Sequence, residues 1–551
     1  MPIINSFQSF RFLVFMVAFF AYTLVGAQDS FMLSGKVSDT DNQELPAAAV
    51  LLMPDHKGTV TSESGEFQFK ELSAGKYTIR VSFLGYREHI ETIVLENDMH
   101  IYIQLSVRLQ TLQEVVIADN YSLRRNREES LHIEVVNDAF IKENLGGSLM
   151  QSLERLPGIG SMEIGSGQSK PVIRGLGFNR VVVVENGIKH EGQQWGADHG
   201  LEVDQFLYDR VEIIKGPAAL LYGSDAMGGV ISLEQVEVPR RYAQGGSIDL
   251  IAKSNNNLAG ASAFAFARRK NFYFQLRGTL LDYADYRVPA DSIDIYSYKA
   301  PIYKNRLRNT AGKEKNLHTV IGFQNNGTSG KILVSNVQNK QGFFANTHGL
   351  EPRRVDNALH DKSSRDIHMP FQEANHLKIS GIGTIHKNSY KGRIDLGYQN
   401  NIRKEWSQYT RHGFMPPALP DYLDFPQELE RQFNKSTWSG NFSASVNLNA
   451  KAELVTGMSA DYQINDISGR GFIIPEYEQL NAGIFIITKY SISVNSLLQA
   501  GIRFDHGQLD VHAYNDWYPT PVTSAAGTVD SMLQRAPALK RNFSNISWSA
   551  G

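Results

Sequence analysis

The stretch "VEIIKGPAALLYGSDAMGGVI", Val211 to Ile231, decides how this chain is read. A β-prone run stops at Gly216-Pro217. A short helix-forming piece follows, then a glycine loop and a second β-prone run. Glycine-rich turns of this kind raise the question of phosphate or nucleophile chemistry. The spacing Gly-x-x-x-x-Gly-Lys-Ser/Thr of a phosphate loop is absent, and Ser224 lacks the glycine two residues on that a nucleophile elbow needs. Gly223, Gly228 and Gly229 are therefore predicted to serve backbone geometry, because glycine reaches positive φ at no steric cost. Upstream, "RVVVVENGIKH" (180–190) is a buried-strand run that ends in a turn at Asn186-Gly187. "SLMQSLERLPGIG" (148–160) carries helix-spaced Leu149, Leu153 and Leu156 and stops at Pro157-Gly158. Residues 133–238 thus read as an α+β domain.

Three other zones flank it. Arg11 precedes the apolar run "FLVFMVAFFAYTLVGA", and Val25-Gly26-Ala27 offers a small-residue cleavage site, so residues 1–27 are predicted to be a secretory signal peptide. Residues 31–109 alternate apolar and polar positions between Gly/Asp/Pro turns, as at Phe67 and Phe69 or Tyr77, Ile79 and Val81. That pattern predicts a small antiparallel β-sandwich. Residues 241–551 are dense in longer alternating segments such as "GASAFAFARR", in which Phe264 and Phe266 share one face and the alanines the other. Aromatic-bearing alternation fits a membrane barrel, with a soluble β-rich domain as the alternative. The period-two runs number roughly half of the ~22 strands of large outer-membrane barrels, and "NISWSAG" at the end still alternates. The expectation is a partial barrel with strands missing at the C-terminal end.

Bulk composition narrows the function. The 551 residues carry 55 Lys plus Arg against 57 Asp plus Glu, a formal net charge of −2, which leaves no nucleic-acid footprint. There is no cysteine, so disulfides, thiolate metal sites and cysteine nucleophiles are excluded. A mean hydropathy of −0.29 is compatible with a barrel, where every second strand residue faces lipid.

Two resemblances organise these zones. "SGKVSD", "SGEFQF" and "LSAGKYTIRVSFLGY" resemble the carboxypeptidase-regulatory-like domain found ahead of many Bacteroidetes outer-membrane receptors. No His-x-x-Glu pair accompanies them, so no peptidase chemistry is implied. "LPGI", "IRGLGFNRVVVVENGI" and "VEIIKGPAALLYGSDAMGGVI" resemble, in order, the plug domain of TonB-dependent receptors. Arg174, Gly175, Gly216, Pro217, Tyr222, Gly223, Gly228 and Gly229 are its motif positions. Within 110–132, "TLQEVVIADN" resembles a TonB box, in which Leu112, Glu114, Val115, Val116 and Ile117 would add a strand to the edge of a partner's sheet. A surface strand of the sandwich is the alternative.

The resemblance implies a mainly β protein with an N-terminal β-sandwich, a plug and an antiparallel transmembrane β-barrel. It implies a transporter rather than an enzyme, with no catalytic residues and no resident cofactor. It places the chain in the outer membrane of a Gram-negative bacterium, with the N-terminal domain periplasmic, and names the TonB–ExbB–ExbD complex as energising partner and outer-membrane lipid as surroundings. The cargo is then a scarce solute. In the loop "GIKHEGQQWGADHGLEVDQF" (187–206) the Asp198-His199 pair is similar to that of zinc-uptake receptors. Imidazole and carboxylate suit Zn²⁺ without thiols. His190 and Glu191 stand at the loop's start, and Glu202 reads as the opening of the next structured segment. A hydrogen-bonded turn presenting Trp195 is the plainer reading of the same loop. His348, His360, His368, His376, His386 and His412 crowd a later stretch, of which His348 and His360 are metal candidates in a predicted extracellular loop. His376 and His386 are expected to face the lumen or an interface. An iron–siderophore, haem or cobalamin cargo would instead use Trp195, Arg353 and Arg354. Two further readings stand beside transport. One is a glycan- or peptide-capturing receptor with a surface lipoprotein. The other is a secreted hydrolase using His190, Asp198 and His199, which lacks any paired ligand motif.

Overall fold

The computed structural model describes residues 30–106 and 132–551, except 41, 55–56, 84–85, 87, 194–195, 197–198, 216–218, 224, 236, 296–297, 345–362, 388–389, 494–495 and 526. The signal-peptide segment and Leu112, Glu114, Val115, Val116 and Ile117 lie outside the described residues. So do Trp195, Asp198, Gly216, Pro217, His348, Arg353, Arg354 and His360. The chain divides into two units, Met1–Val115 and Val116–Gly551.

In the first unit, β1 (Ser30–Asp39), β4 (Glu66–Ser73) and β7 (Met99–Leu105) form one sheet. The other contains β2 (Ala49–Met53), β3 (Lys57–Val60), β5 (Gly75–Ser82) and β6 (His89–Leu95). The alternate residues of both sheets bury a shared core that includes Leu33, Val37, Val50, Leu52, Phe67, Phe69, Ile79 and Val81. The sandwich is as expected, with one correction: it is not wholly antiparallel. β1 pairs in parallel with β7, Leu33 opposite Met99 through Asp39 opposite Leu105. Apolar alternation is the same in either strand direction, so the pattern could not reveal this pairing.

The plug opens the second unit. Its five-stranded sheet runs in the order β12 (Ile188–Lys189), β11 (Val181–Glu185), β14 (Gly229–Glu234), β13 (Arg210–Lys215) and β8 (His132–Asn137). A hairpin of β9 (Ile159–Ile164) and β10 (Gln168–Ile173) stands beside it. The unbroken valines of β11 follow from burial on both faces. Val181 and Val183 pack with Leu149, Leu153 and Leu156, while Val182 and Val184 pack with Ile214 and Val230. The helix Leu149–Leu153 begins at Ser148, whose hydroxyl accepts from the Gln151 N–H at 3.4 Å. Asn186 (φ 52°) and Gly187 (φ 97°) make the hairpin turn between β11 and β12. Gly229 (φ 140°) could not be replaced cheaply, because a Cβ there would lie 2.3 Å from the Ile214 carbonyl oxygen. Gly223 (φ 90°) and Gly175 (φ 81°) also take positive φ, and Arg174 precedes the latter at φ 49°. Gly228 is different, since its φ is not positive. A Cβ there would come within 2.9 Å of the Arg180 carbonyl oxygen, so it permits a close approach. Tyr222 ends the short helix Ala219–Tyr222 and packs against the Val182 and Val184 side of the plug.

The remainder is dominated by a 12-stranded antiparallel sheet. It starts with β15 (Gln244–Lys253), β16 (Leu258–Arg269) and β17 (Phe272–Tyr283). After the small hairpin β18 (Ser292–Ile295) and β19 (Tyr298–Pro301), it continues through β20 (Gly312–Asn325), β21 (Thr328–Gly342), β22 (Phe371–Lys387) and β23 (Tyr390–Trp406). Then come β24 (Leu429–Asn447), β25 (Ala452–Ser468), β26 (Tyr477–Ser493) and β27 (Ser496–Val511). The hairpin β28 (Tyr514–Ser524) and β29 (Gly527–Ala536) stands apart, and β30 (Leu539–Ala550) pairs with β27. Among the described residues β15 and β30 are the two edges and do not pair with each other.

The two faces of this sheet differ as a membrane wall requires. On β26 the exposed positions Leu480, Ile484, Ile486, Tyr490 and Ile492 alternate with inward Gln479, Asn481, Phe485 and Ile487. One row of cross-strand partners, Ile394, Phe442, Met458, Ile484, Phe504 and Ile546, carries apolar surface outward over six strands. The inward face bears Asn316, His318, His376, Lys378, Gln399, Asn401, Arg403, Glu405 and Lys435, all buried. The alternation in "GASAFAFARR" runs as expected, but its aromatic face is the inner one. Ala263, Ala265 and Ala267 are exposed, and Phe264 lies under the Arg277 guanidinium, 4.7 Å from ring centre to charge.

Candidate functional site

The segment from Lys189 to Gln205 joins plug strands β12 and β13 and carries the residues that the sequence singled out. It is not a solvent-exposed turn. His190, Glu191, Gln193, His199, Glu202, Asp204 and Gln205 are all buried against the inner wall of the large sheet. A polar loop can be buried only if its groups find partners, and here the partners come from β20 to β24. The Glu191 N–H donates to Gln399 Oε1 at 3.1 Å, and Gln399 Nε2 returns a bond to the Lys189 carbonyl at 2.7 Å. Gln193 Nε2 reaches the Asn401 carbonyl at 2.9 Å. Lys435 Nζ meets Glu191 at 2.6 Å and His318 Nε2 meets Asp204 at 3.1 Å, while at the end of neighbouring β11 Glu185 meets Lys378 Nζ at 2.5 Å.

His199 is fully buried, with Nε2 2.7 Å from Glu405 Oε1. The Gly196 N–H points at Nδ1 from 3.4 Å, so Nδ1 is the acceptor and Nε2–H donates to Glu405. Glu405 is itself held by Arg431 at 2.7 Å. A carboxylate behind one imidazole nitrogen fixes the tautomer and raises the basicity of the other, the arrangement found behind metal-bound histidines. Asp198, the neighbour expected to share a metal with His199, lies outside the described residues.

A second constellation lies along the same segment. His190, Glu202 and His376 bring one nitrogen or oxygen each within 4.8 Å of one another, all three buried. Glu202 Oε2 is 3.7 Å from His190 Nε2 and 3.5 Å from His376 Nδ1. The other carboxylate oxygen accepts from the fully buried Arg403 guanidinium, and Asn401 Nδ2 donates to Oε2 at 3.0 Å. Glu202 is therefore no mere opening of the next segment; it is a buried contact between the plug and strands β22 and β23. Nothing local in the sequence marks it, because Arg403 stands 201 positions away. His376 faces the lumen, as expected, and there meets the plug, while His386 is exposed at the far end of β22.

The charges of the loop are set by these partners. Burial alone would raise the Glu202 carboxyl, but Arg403 and then the two imidazoles hold its pKa well below the ordinary range. Glu185 behaves alike: burial opposes ionisation, and Lys378 and His190 outweigh it. Glu191 is held down to about 2, with Lys189 and Lys435 overcoming the same penalty. For His190, burial works against protonation, while Glu185 and Glu202 raise its pKa above the usual imidazole value.

The plug, the inward polar wall and the outward apolar belt define the class of protein. Residues 125–230 match the TonB-dependent Receptor Plug Domain, and residues 33–117 match the CarboxypepD_reg-like domain. The chain therefore carries a plug domain of the TonB-dependent receptor type behind a CarboxypepD_reg-like domain. Among curated proteins it is similar to the "Vitamin B12 transporter BtuB" of Vibrio vulnificus (strain CMCP6), 32% identical over 163 residues, which are 28% of this chain and 26% of that protein. It is also similar to the "Hemin receptor" of Yersinia pestis, 28% identical over 172 residues, 30% of this chain and 25% of that one. Among solved structures the fold is like that of "Copper transporter OprC", with a TM-score of 0.54 at 16% identity, covering 76% of this chain and 60% of the other. The chain thus matches about a quarter of the length of these curated relatives and spans about three fifths of that solved receptor.

Proposed function

We propose that this chain belongs to a receptor that takes up a scarce metal, as the ion or in a complex, across the outer membrane by TonB-driven displacement of its plug. The observation that carries this reading is the Lys189–Gln205 segment. It is a long plug loop held to the inner wall by charged and hydrogen-bonded pairs rather than by an apolar seam. Such contacts can be broken and remade in water, as a plug that must move requires, whereas an apolar seam would expose its surface on opening. The outer membrane has no ATP, so work must come from the TonB–ExbB–ExbD complex on the periplasmic side, through the segment containing Leu112, Glu114, Val115, Val116 and Ile117.

Zinc is the favoured cargo. His199 is backed at Nε2 by Glu405 and turns Nδ1 toward the Gly196 N–H at 3.4 Å, and Asp198 adjoins it in sequence. Nitrogen and carboxylate donors without thiols suit Zn²⁺. The names of the relatives support the second reading, a corrinoid or haem complex. Growth separates the two. Deletion of the gene is expected to slow growth under a zinc chelator and leave growth under an iron chelator unchanged. The opposite pattern removes zinc in favour of an iron complex.

A further inference from the structure

We infer that His190, Glu202 and His376 form a second, internal site for a divalent cation of the zinc class, which ties the plug to strand β22. This site is separate from Asp198 and His199, and it stands whether or not zinc is the cargo.

His190 Nε2 and both ring nitrogens of His376 are buried and have no hydrogen-bond partner. Buried imidazole nitrogens without partners are expensive, and most buried polar atoms avoid that state. Two of these atoms, His190 Nε2 and His376 Nδ1, face one carboxylate oxygen, and the two rings meet edge to face with centroids 4.8 Å apart. At 3.5 and 3.7 Å, the contacts of Glu202 Oε2 to the imidazoles are longer than hydrogen bonds. They are close to the ~3.3 Å that separates neighbouring ligand atoms around a tetrahedral zinc with bonds of about 2.0–2.1 Å. Only the two imidazoles, with ligand atoms within 4.8 Å, must draw together, by up to about 1.5 Å.

His190 Nδ1 is 2.5 Å from Glu185 Oε1, which commits that nitrogen to the proton and leaves the Nε2 lone pair for the shared centre. Glu185 is fixed in turn by Tyr208 OH at 2.6 Å and by Lys378 at 2.5 Å. Glu202 is fixed through its other oxygen by Arg403. Two nitrogens and one carboxylate oxygen, with His190 and Glu202 each oriented by a further partner, are the donor set of a borderline cation rather than of calcium or magnesium, which demand oxygen. Glu185 and Glu202 are balanced by Lys378 and Arg403, so the charge on the ion is the price of the site. A cation there would join two plug residues to the wall and would have to leave, or be shed by one side, when the plug moves.

The test uses the full-length receptor in detergent, stripped of metal, with Zn²⁺ and Cu²⁺ alone as probes. The background variant is Asp198→Ala/His199→Ala, which removes the other candidate site. In that background one equivalent of Zn²⁺ is expected to bind and to raise the melting temperature. Adding His376→Ala or His190→Gln is expected to abolish both effects. Cu²⁺ in the background protein is expected to show two imidazole nitrogens in one centre by electron paramagnetic resonance, a readout that needs no folded His376 or His190 variant. Absence of nitrogen coupling, or equal Zn²⁺ stoichiometry with and without His376→Ala, overturns the proposal and leaves a cluster held by the His190 proton. Neither result bears on the growth phenotype that tests zinc as cargo.

Discussion

Replacing Arg403 by methionine is expected to loosen the plug more than any other single change in the wall. Arg403 is fully buried and donates to Glu202, to Gln372 Oε1 at 2.6 Å and to the Gly200 carbonyl at 3.3 Å. Methionine fills much of the volume and removes every donor. Glu202 is then left ionised and buried beside two imidazoles. Breaking a buried pair in this way costs about 3–5 kcal/mol. The readout is the denaturant midpoint of the plug transition in purified receptor, with protease sensitivity of the Lys189–Gln205 segment as a second measure. A double variant, Arg403→Met/Glu202→Gln, is expected to recover part of the loss, because the stranded charge is gone. A change within about 0.5 kcal/mol for Arg403→Met would show that water reaches the pair and that the seam is not sealed.

The second large effect concerns the outer belt. Ile484 lies in the row running from Ile394 to Ile546 and is 60% exposed. In a soluble sheet, arginine at such a position would be nearly neutral. In a membrane wall it faces hydrocarbon, and the expected loss is about 2–4 kcal/mol near the midplane, falling to about 0–1 near the interface. Ile484→Arg is therefore expected to destabilise the barrel refolded in bilayers far more than Ile492→Arg, which sits at the end of the same strand. Equal costs at the two positions would contradict the membrane assignment.

Much of this architecture was legible because it rests on local periodicity. The valines of β11, the Asn186-Gly187 turn and the helix-spaced Leu149 and Leu153 each announce their element within a few residues. The glycine at 229 announced a backbone demand, and the structure supplies the reason in the Ile214 carbonyl. Two features hid from the sequence. Strand direction leaves no trace in alternation, so the parallel β1–β7 pair was missed. The site was half legible for a related reason. His190 and His199 attract notice as histidines in a glycine-rich loop, but their counterparts Glu405, His376 and Arg403 come from strands about two hundred residues on. His376 was expected to face the lumen or an interface, and it does. Its meeting with Glu202 depends on the register of β22 against the plug, which no single stretch encodes. Glu202 itself looked like ordinary strand-leading sequence, and only burial reveals its role.

The most direct test of the central claim is uptake. Cells producing the full-length receptor are given radiolabelled zinc at limiting concentration, with and without a protonophore that collapses the inner-membrane gradient. Receptor-dependent accumulation is expected to stop when the gradient is lost and to be absent when the segment from Leu112 to Ile117 is deleted. Accumulation that persists unchanged without the gradient, or without that segment, would contradict a TonB-driven plug.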